Sequence, residues 1–283
     1  MEKQVILITG ASSGIGYETA EALAKKGHKI YGAARRTEKI APLEVLGVTP
    51  IKMDVTDEKS LQEGVRAIIQ KEGRIDILIN NAGYGSLGAI ETVPIEEARR
   101  QMEVNVFAMA RLTQLVLPGM RERKHGRIIN ISSLAGKMTI PFGGWYNISK
   151  YSVEAFSDAL RMETRPFGIK VSIIEPGGIK TDWGTIAADH LTENTEGTAY
   201  ERAAGREAAI LRKGYTSNLL SSPSKVARKI VRAATSRRPK LRYRVGTASR
   251  SGILFHALLP ARWWDALLTF FFTKTLKSTY QRI

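Results

Sequence analysis

Short apolar runs and amphipathic stretches take turns along most of this chain. Residues 4–9 (QVILIT) are a β-branched run that stops at a glycine, the pattern of a strand buried on both faces. Residues 14–26 set Ile15, Ala20, Leu23 and Ala24 on one face before Gly27, which predicts a helix with a glycine stop. Strands are predicted at 29–34 and 49–53, then a helix over 58–71 behind the capping pair Thr56 and Asp57. Further strands are predicted at 75–80 (IDILIN), 126–132 (GRIINIS) and 169–175 (IKVSIIE), with long helical patterns near 97–121 and 146–165 between them. A seventh strand is predicted at 241–245 (LRYRV). Strand and helix in this alternation predict an α/β fold, a doubly wound parallel sheet of about seven strands with right-handed crossovers.

The pattern weakens at 182–222, which is polar and charged and follows the sixth strand. In open α/β sheets ligands bind at the strands' carboxyl ends, so this stretch reads as an insertion on the ligand side, helical around 198–213. Residues 251–272 are rich in Leu, Trp and Phe but interrupted by Pro260, Arg262 and Asp265, so they cannot span a bilayer. The chain divides into one domain, 1–250, and an apolar, basic extension, 251–283, packed on the domain, a dimer interface or a membrane surface.

Composition narrows the classes. The 283 residues are 43% hydrophobic and 25% charged, as in ordinary globular proteins. There is no cysteine, which excludes disulfides, thiol nucleophiles and cysteine-held metals, and the four histidines show no metal-ligand spacing. No metal site is expected. The start MEKQVILI lacks a signal-peptide pattern, so a cytoplasmic location is the default. The net charge of +16 is unevenly placed: residues 211–283 hold sixteen Lys and Arg and a single acid, Asp265. A solvated basic surface is the plain reading of that; an anionic partner is the sharper one. No nucleic-acid-binding motif is present, so nucleic acid is not expected.

The turn after the first strand reads TGASSGIG, with Gly10, Gly14 and Gly16 between strand and helix. Glycines there let backbone approach a pyrophosphate, which the helix N-terminus favours. Downstream come Asn81–Ala82–Gly83 after the fourth strand, Asn105 in MEVNV, Ser133 in ISSLAG, Tyr146 and Lys150 as Tyr-x-x-x-Lys, and Pro176–Gly177 with Ile179 and Thr181 after the sixth strand. Tyr146 and Lys150 are four apart and share a helix face. A cation nearby lowers a phenol's pKa and makes it a usable acid or base. Ser133 would donate to the same substrate oxygen.

This set, in this order, resembles the short-chain dehydrogenase/reductase family, over residues 4 to about 182. Within it the motifs look most like the 17β-hydroxysteroid-dehydrogenase-like and acyl-dihydroxyacetone-phosphate-reductase-like members. The resemblance implies a Rossmann-type fold and an oxidoreductase moving hydride between a nicotinamide and a ketone or secondary alcohol, with an apolar or lipid-like substrate. It implies catalytic roles for Asn105, Ser133, Tyr146 and Lys150, with Asn105 holding a water beside Lys150 and Lys150 also bonding the ribose. The cofactor would be held by Gly10, Ser12, Ser13, Gly14, Ile15, Gly16, Arg35, Asp54, Val55, Asn81, Ala82, Gly83, Tyr146, Lys150, Pro176, Gly177, Ile179 and Thr181. At the end of the second strand an NAD site carries an acid for the ribose 2′-OH, whereas here Ala34 is followed by Arg35 and Arg36, which suits the 2′-phosphate of NADP(H). The family also allows homo-oligomers. The other reading is a catalytically silent NADP(H)-binding regulator on the same fold.

Overall fold

The computed structural model describes residues 3–216 and 220–273. Its seven strands are β1 (Val5–Thr9), β2 (Lys29–Ala34), β3 (Val48–Lys52), β4 (Ile77–Asn80), β5 (Gly126–Ile131), β6 (Ile169–Pro176) and β7 (Arg242–Val245). The helices are α1 (Gly14–Ala24), α2 (Glu58–Glu72), α3 (Ile95–Met102), α4 (Ala108–Glu122), α5 (Gly144–Thr164), α6 (Trp183–Glu193), α7 (Glu201–Thr216), α8 (Pro223–Thr235), α9 (Ser249–Leu258) and α10 (Ala261–Thr273).

The strands form one sheet in the order β3-β2-β1-β4-β5-β6-β7, every pair parallel. It is the doubly wound, Rossmann-type sheet that the alternation predicts. Register follows from burial on both faces. Val5 and Leu7 join the core under α2, α4 and α5, with Leu61, Ile68, Leu112 and Leu160. Ile6 and Ile8 join the opposite core, with Leu23 of α1 and Val226 and Ile230 of α8. A one-residue slip of β1 would exchange the two sets. Strand order reverses between β1 and β4, and ligands of such sheets bind beyond that switch point.

Three stretches differ from the sequence expectation. The helical pattern at 97–121 is two helices, α3 and α4, joined by a π-helical turn over Glu103–Phe107. The described residues of 182–222 hold two helices rather than one, and α6 and α7 pack Ala187, Ala188, Leu191, Ala204 and Ala208 into a core shared with Leu87, Ala135 and Tyr146. Helix α8 was not anticipated, although Pro223 at its first turn and Val226, Ile230 and Val231 on one face are a legible start and stripe.

The extension begins with α9, which packs on β7 and buries Ile253. Trp264 of α10 is buried and meets the His256 ring edge-on at 5.0 Å. Leu254, Phe255, Leu258, Trp263 and Phe270 stay exposed. The rest of the extension, 274–283, lies outside the described residues.

Candidate active site

The turn from β1 into α1 is shaped by its glycines. Gly10 has φ +65° and Gly14 φ +53°, a region costly for other residues. A Cβ on Gly16 would lie 2.2 Å from the Gly10 carbonyl oxygen, so the helix can start this close to the turn only with glycine there. The turn is braced from β4. The amide of Asn81 donates to the carbonyls of Thr9 (2.9 Å) and Gly10 (3.2 Å), and Thr9 Oγ1 accepts from the backbone of Asn81 and Ala82, both at 3.0 Å. Ser13 caps α1 without spending its hydroxyl on the backbone.

A cavity of about 850 Å³ opens over these carboxyl ends. It is lined by Gly10, Ser12, Ser13, Gly14, Ile15, Arg35, Asp54, Val55, Asn81, Ala82, Gly83, Ser133, Tyr146, Lys150, Pro176, Gly177, Ile179 and Thr181. Two residues singled out in the sequence do not line it. Gly16 lies beneath, where it lets α1 pack on the turn. Asn105 is buried in the π-helical turn and its amide bonds to protein groups: Oδ1 accepts from the Tyr84 backbone (3.0 Å), and Nδ2 donates to Tyr84 O (2.9 Å) and Ser149 Oγ (3.0 Å). The Asn105 side chain thus fastens the loop after β4 to α5.

Arg35 and Arg36 border one end of the cavity with Asp54 and Thr56. The Thr56 backbone N–H, its hydroxyl, and the charges of Arg35 and Arg100 hold the Asp54 carboxyl below its usual range, against the effect of burial. At the other end stands Tyr146. Burial pushes its phenol up to about 12, and a hydrogen bond from Ser133 works the other way. Lys150 lies with its Nζ 5.8 Å from the Tyr146 ring centre and donates to the Ile131 carbonyl at 3.1 Å. Burial lowers its ammonium to about 8, opposed by the charge of Glu154. Burial thus favours the protonated phenol and works against the lysine's charge.

An aromatic wall that the sequence does not reveal faces Tyr146. The Trp183 ring sits 5.1 Å from the Tyr146 ring and 5.8 Å from that of Tyr215. The Tyr84 and His190 rings meet at 5.9 Å alongside, tilted by 44°, and the Tyr84 hydroxyl donates to Glu97 at 2.9 Å. A Cβ on Gly184 would fall 2.0 Å from the Tyr215 ring, so this glycine admits α7 against α6. The wall is drawn from 84, 183–190 and 215, three separated segments, and only the folded chain brings them together.

The residues present fit a phosphate-bearing dinucleotide. The glycine turn ends at a helix N-terminus, the end-of-strand acid typical of NAD sites is absent at Ala34, and two arginines stand in its place. Residues 4–190 match the family model described as short chain dehydrogenase. A 3-ketodihydrosphingosine reductase of Bacteroides thetaiotaomicron is 40% identical over 248 residues, 87% of this chain and 89% of that protein. The crystal structure of a short-chain dehydrogenase from Streptomyces avermitilis superposes with a TM-score of 0.78 at 32% identity, covering 98% of both chains. The closed form of a serine dehydrogenase complexed with NADP+ superposes at 0.76, with 25% identity over 87% of this chain and 95% of that one.

Proposed function

Because this chain belongs to the short-chain dehydrogenase/reductase family, we propose that it is an NADP(H)-dependent oxidoreductase interconverting a ketone and a secondary alcohol on an apolar, lipid-like molecule. The observation that carries the reading is one cavity with Arg35 and Arg36 at one end and Ser133, Tyr146 and Lys150 under an aromatic wall at the other. Bound nicotinamide supplies or accepts the hydride. The chain's own residues do the rest. Gly10, Ser12, Ser13, Gly14 and Ile15 hold the pyrophosphate, and Arg35 takes the 2′-phosphate. Asp54 and Val55 hold the adenine, while Asn81, Ala82, Gly83, Pro176, Gly177, Ile179 and Thr181 frame the remainder. Tyr146 Oη gives its proton to the carbonyl oxygen in reduction and takes it back in oxidation, and Ser133 Oγ donates to the same oxygen. Lys150 Nζ supplies the positive charge that eases loss of the phenolic proton.

A protonated phenol beside a charged lysine is the state that reduction requires at neutral pH. The Trp183, Tyr215 and Ile186 side of the cavity suits an apolar substrate body, and the 3-keto group named in the Bacteroides relative is of the proposed class. The test is loss of NADPH absorbance with a panel of long-chain 3-ketones, steroids, retinoids and short polar ketones. Turnover is expected with the apolar members. A chain that binds NADPH yet turns over none of the panel would fit the silent regulator instead.

The exposed Phe255, Leu258 and Trp263 stand in a quarter of the chain with sixteen cations and one acid. Such a surface suits peripheral contact with an anionic bilayer, each nearby cation adding about 1 kcal/mol. Among the described residues no helix is long and apolar enough to cross a membrane. The full chain should sediment with anionic vesicles at low salt and leave them at high salt or in neutral vesicles. Phe255→Ser with Trp263→Ser should weaken this; a chain that stays in solution with anionic vesicles means that these side chains serve packing alone.

A further inference from the structure

Behind the Tyr146–Lys150 pair lies a knot of charge, built on the buried Glu154 and Glu175, that none of the steps above uses. Glu154 follows Lys150 by one helical turn on α5 and is 4% exposed. Its Oε2 meets Lys137 Nζ at 2.9 Å and Arg242 Nε at 3.2 Å, while its Oε1 is buried without a hydrogen-bond partner. Arg242, on β7, also bonds Asp158 one turn further along α5 and pairs with Glu175 Oε1 at 3.1 Å. Glu175 is fully buried at the end of β6, next to Pro176 of the cavity wall, and Arg244 reaches its Oε2 at 3.0 Å. Three acids from α5 and β6 thus meet three cations from β7 and the segment after β5.

Desolvation cancels most of what such pairs contribute to stability, so stability alone is a weak reason for the knot. Its position suggests another. Lys150 is buried and donates to a carbonyl rather than a carboxylate. Burial works against its charge, and Glu154 is the residue whose charge favours it. Lys137 and Arg242 in turn fix the place of the Glu154 carboxylate from two sides. Other charged or titratable groups near α5 are engaged elsewhere. Glu97 of α3 takes the Tyr84 hydroxyl, Arg100 acts on Asp54, and Tyr146 and Tyr215 are phenols raised by burial.

We infer that Glu154, clamped by Lys137 and Arg242, is a positioning residue that keeps the Lys150 ammonium charged behind Tyr146. Its consequence for turnover rests on the function proposed above; the charge state of Lys150 does not. The test therefore reads the lysine directly, in the full chain without cofactor or substrate. Lysines carrying ¹³C at Cε are titrated by NMR, and Lys150 is the resonance lost in Lys150→Met. In the unsubstituted chain it should titrate well below the solvent-exposed lysines. Glu154→Gln removes the anion and leaves two cations beside it, so the midpoint should fall by at least about one pH unit. Glu154→Asp keeps the charge and should restore most of the midpoint. Arg242→Gln breaks the same bridge but removes a positive charge, so its midpoint should hold or rise. An unchanged midpoint in Glu154→Gln, or an equal fall in Glu154→Gln and Arg242→Gln, would overturn the inference in favour of a structural brace. Should Glu154→Gln not fold, Lys137→Gln at the rim of the knot decides: a rise supports the inference and no movement defeats it. A chain that prefers NADH, or reduces none of the panel, leaves this titration intact, so the two failures are distinguishable.

Discussion

Tyr146→Phe should remove at least about a hundredfold of turnover while leaving NADPH binding nearly intact. A positioned general acid is worth roughly 10²–10⁴ in rate, and here the substitution deletes one hydroxyl and keeps the ring. The ring matters to packing, since it joins the alanine core of α6 and α7 and stacks against Trp183. Phenylalanine preserves both contacts, so a fall in turnover would report the lost proton rather than a collapsed pocket. Lys150→Ala should lower turnover and weaken NADPH together if, as the family resemblance implies, one ammonium serves phenol and ribose. The measurement is steady-state turnover on a substrate found in the panel, beside fluorescence titration of NADPH. Wild-type turnover by Tyr146→Phe would mean that the proton comes from elsewhere.

Arg35→Ala should weaken NADPH far more than NADH. A charge-assisted hydrogen bond contributes about 1.5–3 kcal/mol, which is about ten- to a hundredfold in affinity. Arg35 borders the cavity beside Ala34 and within electrostatic reach of Asp54. With Arg36 and Arg100 still lining the cavity, some preference for the phosphorylated cofactor should survive. Titrating both cofactors on both proteins gives the ratio directly. An equal loss for the two would remove Arg35 from recognition of the 2′-phosphate.

The strands were legible because each is a short apolar run between turn signals, and burial on both faces leaves little choice of register; their order in the sheet comes from the structure. Helix α2 was legible from its ends: Asp57 accepts from the Lys59 N–H at 3.0 Å, and Gly73 closes it at φ +74°. Ser133, Tyr146 and Lys150 were legible because their spacing is local and the chemistry needs those types. Asn105 was legible as a residue and not as a shape, since no spacing announces a π-helical turn. The aromatic wall was hidden because Tyr84, Trp183 and Tyr215 lie on three segments with no shared period. Glu154 was hidden differently. An acid one turn past a lysine on an amphipathic helix reads as a solvated pair, and only β7, arriving nearly ninety residues later with Arg242, makes it a buried one.

The sheet ends on β3 at one side and β7 at the other, and both borders resist being lengthened. Pro50 in β3 carries no backbone donor, and proline within sheets keeps to edges. Beside β7, a cleft lined by Lys229, Arg232, Lys240, Arg242 and Arg244 gathers positive charge at the opposite border. A strand from another molecule would find a broken ladder at the first border, and a second copy joined at β7 would set Lys229, Arg232 and Lys240 against the same cations. Self-association by sheet extension, the common route to aggregation in parallel α/β proteins, is thereby opposed at both ends. Were copies of the chain to associate, the exposed Phe107, Ile148, Tyr151 and Met162 on the π-helical turn and α5 would be a surface free of that repulsion.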